Sequence, residues 1–129
     1  MLKLGYKASA EQFGPSELLA YTLLAEEQGF DSAFVSDHFQ PWRHNGGHAP
    51  FALAWLCAAG AKTSRIVRGT SVLTPTFRYH PSIIAQCFGT LGSMFPGRGD
   101  FFFGKGACMK WVCVIHINAA TSPDADGGG

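Results

Sequence analysis

The sequence predicts an α/β protein of repeated βα units, amounting to about the first four units of a (β/α)8 TIM barrel. Three observations carry this reading. Strand-like apolar runs recur with helix-length segments between them, at a spacing of about 30 to 35 residues, the length of one βα unit. The glycine pattern of a dinucleotide-binding turn is missing after the first strand, where the text reads Gly5-Tyr6-Lys7-Ala8-Ser9. Polar residues instead gather after several strands in turn, as they do at the carboxyl face of a barrel. A closed barrel needs about 250 residues. With 129 residues, the chain is expected to be part of a larger barrel.

The predicted strands are Leu2–Lys7, Ser32–Ser36, Ile66–Leu73 and Asp100–Gly104. The predicted helices are Ser16–Gln28, Ala49–Lys62 and Pro81–Phe95. The first helix opens at Gly14-Pro15-Ser16-Glu17, with Pro where a first turn tolerates it and an acid near the positive end of the helix dipole. It closes at Gly29, a candidate for the left-handed position after a helix. The third helix opens at His80-Pro81-Ser82 and ends before Pro96-Gly97. A further apolar run, Val112–Ile117, has the length of a strand. The tail Ser122–Gly129 carries too little apolar surface to pack and is expected to be disordered.

Composition narrows the function classes. Apolar residues make up 47% and charged residues 15%, which describes a chain with a packed core. The net charge is +1 and the ten Lys and Arg are scattered, so no nucleic-acid or membrane surface is expected. The N-terminal text lacks the basic segment and apolar core of a signal peptide, which makes a cytoplasmic location the default expectation. Cys57, Cys87, Cys108 and Cys113 show no close metal-ligand spacing and are expected to be reduced thiols.

The chemistry concentrates after the second strand, in Ser36-Asp37-His38-Phe39-Gln40-Pro41-Trp42-Arg43-His44. An imidazole titrates near neutral pH and can move a proton, and a neighbouring carboxylate can orient it or a cofactor. An Asp that caps a loop beside a surface His would give the same text. His44 and His48 have helical metal-ligand spacing, so a metal-dependent hydrolase using His38, His44 and His48 is a remote alternative. The intervening Asn45-Gly46-Gly47 argues against a helix there. The third strand leads into Thr70, Ser71, Thr74 and Thr76, whose hydroxyls could line a polar pocket. The fourth leads into Gly104-Lys105-Gly106, where two glycines would let backbone approach an anion.

These segments together resemble the coenzyme F420-dependent glucose-6-phosphate dehydrogenases of actinobacteria, members of the bacterial-luciferase-like barrel superfamily. The resembling text is Leu4 through Phe13, Val35 through His44, Gly46 through Phe51 and Gly69 through Tyr79. It runs from Lys3 to about Arg98, nearly three-quarters of this chain and about the first third of such an enzyme, so residues 1–98 are expected to be the N-terminal part of a luciferase-like barrel domain. The resemblance implies coenzyme F420, a deazaflavin, at the carboxyl ends of the strands. It also implies a small-molecule substrate, glucose 6-phosphate or a related alcohol, and a homodimer. Asp37 would contact the coenzyme, His38 would be the catalytic acid/base, and Trp42 would pack in the active site. Ser71-Val72 falls where the family carries a non-proline cis peptide behind the deazaflavin, and Thr74 matches a coenzyme-binding threonine. Gly104 and Gly106 match the glycines of a Gly-Thr-Gly-Glu segment that borders the coenzyme.

The match breaks in that last segment. Lys105 replaces the threonine and Ala107 the catalytic glutamate. Residues 99–129 are therefore expected to be a divergent tail, the product of a frame shift and early termination, and the chain alone is expected to be a catalytically inactive fragment.

Overall fold

The computed structural model describes residues 1–73, 78–104 and 112–116, with backbone alone beyond Gly99. The order is β1 (Gly5–Ala8), α1 (Pro15–Glu27), β2 (Ser32–Val35), α2 (Ala52–Lys62), β3 (Val67–Leu73), α3 (Pro81–Met94), β4 (Gly99–Gly104) and β5 (Val112–His116). The five strands form one sheet in sequential order. Strands β1 to β4 are parallel, and the registers Gly5↔Ser32, Ser32↔Val67 and Arg68↔Gly99 fix their alignment. This is a partial (β/α)8 barrel in which all four carboxyl ends point the same way. Strand β5 runs antiparallel to β4, pairing Val112 with Gly104.

The helices pack on one face of the sheet. Ala8, Val35 and Leu73 from the strands and Leu18, Leu56, Ile84 and Phe88 from the helices belong to one hydrophobic cluster, all 5% exposed or less. Alternation explains the pattern in β2, where Ala33 and Val35 are fully buried and Ser32 and Phe34 face the other side. Two polar groups on the helix side find partners in neighbouring carbonyls. Thr22 Oγ1 donates to Leu18 O at 2.8 Å, and Trp55 Nε1 donates to Pro15 O at 3.2 Å.

The helix ends follow the sequence signals. Gly14 N donates to Glu17 Oε2 at 3.2 Å at the start of α1. At its end, Gly29 has φ +89°, Gly29 N donates to Glu26 O, and Phe30 N donates to Ala25 O. This is a Schellman closure, which a residue with a Cβ enters only with strain. His80 caps α3 by accepting from Ser82 N at 3.3 Å. Two boundaries shift from their expected places. β1 begins at Gly5 because β2 supplies no register partner before Ser32, leaving Leu2 and Leu4 exposed. α2 begins at Ala52 because Pro50 disfavours helical geometry at Ala49.

Glu26 ties α1 to the turn before β3. Its Oε1 accepts from Arg65 N at 2.6 Å and Ile66 N at 2.7 Å, and both oxygens accept from Ser64 N. Burial alone would raise its pKa, but these three amides and the Arg65 charge together hold it below the ordinary carboxylate value. A depressed folded pKa contributes stability above the unfolded pKa, and that contribution is lost as pH falls through the folded value. Glu26→Ala is expected to cost about 1 kcal/mol at neutral pH, because the site is partly solvated. Denaturant melts across the acid range should show the gap to wild type closing as pH falls below about 4.

Candidate active site

The site assembles from loops that leave the carboxyl ends of β1, β2 and β3. After β1 the chain turns at Ser9, and Glu11 folds back over the sheet end. Its carboxylate accepts from Ser9 Oγ at 3.1 Å, and its carbonyl accepts from His48 N at 3.2 Å. The second of these bonds ties the β1 loop to the β2 loop.

After β2, His38 turns Nδ1 toward Glu11 Oε1 at 2.7 Å, with the Glu11 side chain only 10% exposed. The contact is a close polar approach and not an aligned hydrogen bond. Burial pushes the Glu11 pKa up, but the neighbouring Ser36 hydroxyl, a backbone amide, Lys7 and His38 together bring it below its ordinary value. The buried Ser36 Oγ itself makes no well-aligned hydrogen bond. With Nδ1 facing an anion, His38 Nε2 has no partner among the described residues and is left for chemistry. The Trp42 indole meets the His38 ring edge-on, with centroids 5.0 Å apart and planes at 61°. Trp42 is 74% exposed, so one face of the indole is open to a ligand.

Asp37 has different surroundings. Its side chain is 2% exposed, Arg78 Nη1 donates to Oδ1 at 2.9 Å, and Tyr79 OH donates to Oδ2 at 2.8 Å. Burial first, then the hydrogen bond and charge of Asp37, raise the Tyr79 pKa far above its ordinary value. Arg78 also lies over the Phe39, Phe51 and Tyr79 rings, at 5.4, 5.5 and 5.1 Å. Asp37 thus anchors the segment after β3 to the end of β2.

The Ser71–Val72 peptide is cis, and Ser71 lies one position past the Val35–Thr70 pair, beside the start of the Asp37 loop. Gly104 ends β4 opposite Val112. Thr74 and Gly106 lie outside the described residues.

A cavity of about 500 Å³ opens at this end of the sheet, lined by Ser9, Glu11, Phe13, Trp42, Arg43 and Gly47 among others. Gly46 has φ +66°, and a Cβ on Gly47 would overlap the Arg43 carbonyl oxygen. The two glycines let the loop fold tightly behind Trp42. Among the described residues, no three His, Cys, Asp or Glu side chains come together to hold a metal, and no helix is long and apolar enough to cross a membrane.

Sequence reasoning identified the Asp37–Trp42 cluster but not Glu11, Arg78 or Tyr79. Glu11 follows a predicted strand end, and Arg78-Tyr79 lies in the loop after β3. Their positions were signals, but their contacts span 27 residues or more of sequence.

Comparison with known proteins identifies the family. The family model for luciferase-like monooxygenases matches residues 2–110, extending past Arg98. A glucose-6-phosphate dehydrogenase of Intrasporangium calvum, named as F420-dependent, is 60% identical over 95% of this chain and 36% of its own length. A second such enzyme, from Rhodococcus jostii, is 69% identical over 88% of this chain and 34% of its own length. The chain therefore spans about a third of the length of the curated relatives it matches. Among solved structures, an F420-dependent secondary alcohol dehydrogenase in complex with an F420–acetone adduct superposes with TM-score 0.76. It is 42% identical and covers 79% of this chain and 31% of its own. An F420-dependent tetrahydromethanopterin reductase from Methanopyrus kandleri superposes with TM-score 0.68 at 26% identity, covering 81% of this chain and 27% of its own. On the extent of the family match and the shared fold, the chain belongs to the luciferase-like monooxygenase family.

Proposed function

We propose that this chain forms the coenzyme F420 and proton-transfer corner of a dehydrogenase acting on an alcohol CH–OH, with glucose 6-phosphate as the first candidate substrate. The observation that carries the reading is the Glu11–His38–Trp42 arrangement beside an open cavity at the parallel strand ends. An exposed indole and a cavity of about 500 Å³ suit a flat aromatic ring system. Asp37, Ser71, Val72, Thr74, Gly104 and Gly106 are the proposed coenzyme-side residues. Asp37 acts there through Arg78 and Tyr79, whose groups saturate its carboxylate.

Bound coenzyme would supply the hydride acceptor. His38 Nε2 accepts the hydroxyl proton of the substrate. The Glu11 carboxylate, near Nδ1, orients the ring and stabilises the imidazolium that results. Trp42 holds the ring and shields the site from water on that side. A secondary alcohol other than a sugar is the second reading, favoured by the likeness to the secondary alcohol dehydrogenase. The setting proposed is a homodimeric cytoplasmic enzyme. Residues 1–129 alone are expected to turn over slowly or not at all, because Ala107 stands where the resembling enzymes carry a glutamate.

Trp42→Ala tests the reading directly. It should weaken coenzyme F420 binding by about tenfold, the size of a lost aromatic contact of about 1.4 kcal/mol. The melting temperature should hardly move, because the indole is mostly exposed. Unchanged coenzyme affinity would remove Trp42 from the site.

A further inference from the structure

The chain leaves the end of β1 with a pattern of polar residues that the proposed proton transfer leaves unused. Ala8 and Ala10 are 0% and 2% exposed and belong to the hydrophobic cluster between sheet and helices. Lys7, Ser9 and Glu11, which alternate with them, take the other side, toward the strand-end site. Ser9 Oγ donates to Glu11 Oε2 at 3.1 Å, while the other carboxylate oxygen, Oε1, stands 2.7 Å from His38 Nδ1. His48 N donates to the Glu11 carbonyl at 3.2 Å, so the backbone and the carboxylate of Glu11 are both tied. Ser9 and Glu11 also line the cavity of about 500 Å³, which Arg43 borders from the β2 loop.

Lys7 supplies charge to the same carboxylate. Against burial, which favours the neutral acid, the Ser36 hydroxyl, a backbone amide, the Lys7 ammonium and the His38 ring hold Glu11 ionised. Burial lowers the Lys7 pKa and the Glu11 charge raises it, so each group supports the charge of the other. An anionic oxygen 2.7 Å from Nδ1 is tolerated only when Nδ1 carries the hydrogen, which leaves the Nε2 lone pair free for a hydroxyl proton. We propose that Lys7 and Ser9 are positioning residues of this site. Ser9 fixes one oxygen of Glu11 and Lys7 keeps the carboxylate charged, so that the other oxygen selects the His38 tautomer with hydrogen on Nδ1. The proposal rests on the reading of His38 as the proton acceptor. A Glu11 that turns away frees the imidazole to take the other tautomer, whose Nε2 has no lone pair to offer.

Nitrogen-15 NMR of the full chain at about pH 8.5, well above the ordinary imidazole pKa, reads the tautomer of neutral His38 directly. The His38 signals are assigned by their loss in His38→Gln. Wild type should show the form with hydrogen on Nδ1. Ser9→Ala should turn it into a mixture of tautomers, and Ser9→Thr, which keeps a hydroxyl, should restore it. If Ser9→Ala does not fold, Ser9→Gly takes its place. Lys7→Met should raise the pH at which the Glu11 carboxyl titrates, followed by carbon-13 NMR, and Lys7→Arg should bring it back. Melting temperatures should stay within about 4 °C of wild type, since Lys7 is exposed and Ser9 half-buried. An unchanged tautomer in Ser9→Ala, or an unchanged Glu11 titration in Lys7→Met, would overturn the role of that residue. A wild type with hydrogen on Nε2 would instead contradict the Glu11–His38 pairing, and with it the proton-transfer reading.

Discussion

Asp37→Ala is expected to lower stability by about 2–3 kcal/mol and the melting temperature by roughly 10 °C. The carboxylate is 2% exposed and answers both the Arg78 guanidinium and the Tyr79 hydroxyl. Removing it leaves a cation and a phenol without their acceptor in a partly dehydrated place, and the estimate is reduced because Arg78 retains 26% exposure. Asp37→Asn keeps an acceptor oxygen and loses the charge, so about half the effect is expected. A second readout separates this contact from general loosening. Burial and Asp37 hold the Tyr79 pKa up, so the fold gains stability from it below the ordinary tyrosine value and loses that gain as pH rises through the folded value. In Asp37→Ala, ultraviolet titration should find this phenol ionising at lower pH while the protein is still folded. A phenol whose titration does not move would mean that the contact is not formed in solution.

Gly60→Val should be comparably damaging, at about 3 kcal/mol, and Gly60→Ala should cost about 1–2 kcal/mol. Gly60 is buried in the last turn of α2, where a Cβ would overlap Arg68 Nη1 and the Phe95 ring. Helix propensity argues the other way, since Ala in place of a helical Gly usually gains about 1 kcal/mol. The sign of the measured change therefore decides between propensity and packing. Arg68 cannot simply swing aside, because Nη2 is bonded to Arg98 O and its plane rests on Phe95. Combining Gly60→Ala with Arg68→Met should recover most of the loss, since neighbouring substitutions that relieve the same overlap are not additive. Chemical denaturation of the two single variants and the double variant is the relevant measurement. A stabilised Gly60→Ala would contradict the packing.

The contrast between these two sites shows what could be read from sequence. The parallel strands and their helices were legible because their cues are local. Gly14-Pro15 opens α1, Gly29 closes it, and His80-Pro81 opens α3. The start of β1 was not, because whether Leu2–Leu4 are strand depends on a partner 27 residues away. The antiparallel direction of β5 was equally hidden, since the run from Val112 states a strand but not its neighbour. At the site, Asp37, His38 and Trp42 were visible because six residues carry them together. Their partners were not. Glu11 reaches His38 across the sheet end, and Arg78 and Tyr79 reach Asp37 from the loop after β3. The buried charge of Arg68 was also out of reach, as Arg in a predicted strand gives no sign of which face it takes or whether an acid awaits it.

The central claim is that residues 1–129 contain a formed coenzyme corner. Titrating the purified chain with coenzyme F420, followed by deazaflavin absorbance and tryptophan fluorescence, tests it most directly. The account predicts saturable one-to-one binding that Trp42→Ala weakens by about tenfold and Asp37→Ala weakens at temperatures where that variant is still folded. A folded chain that shows no saturable change with coenzyme would contradict it.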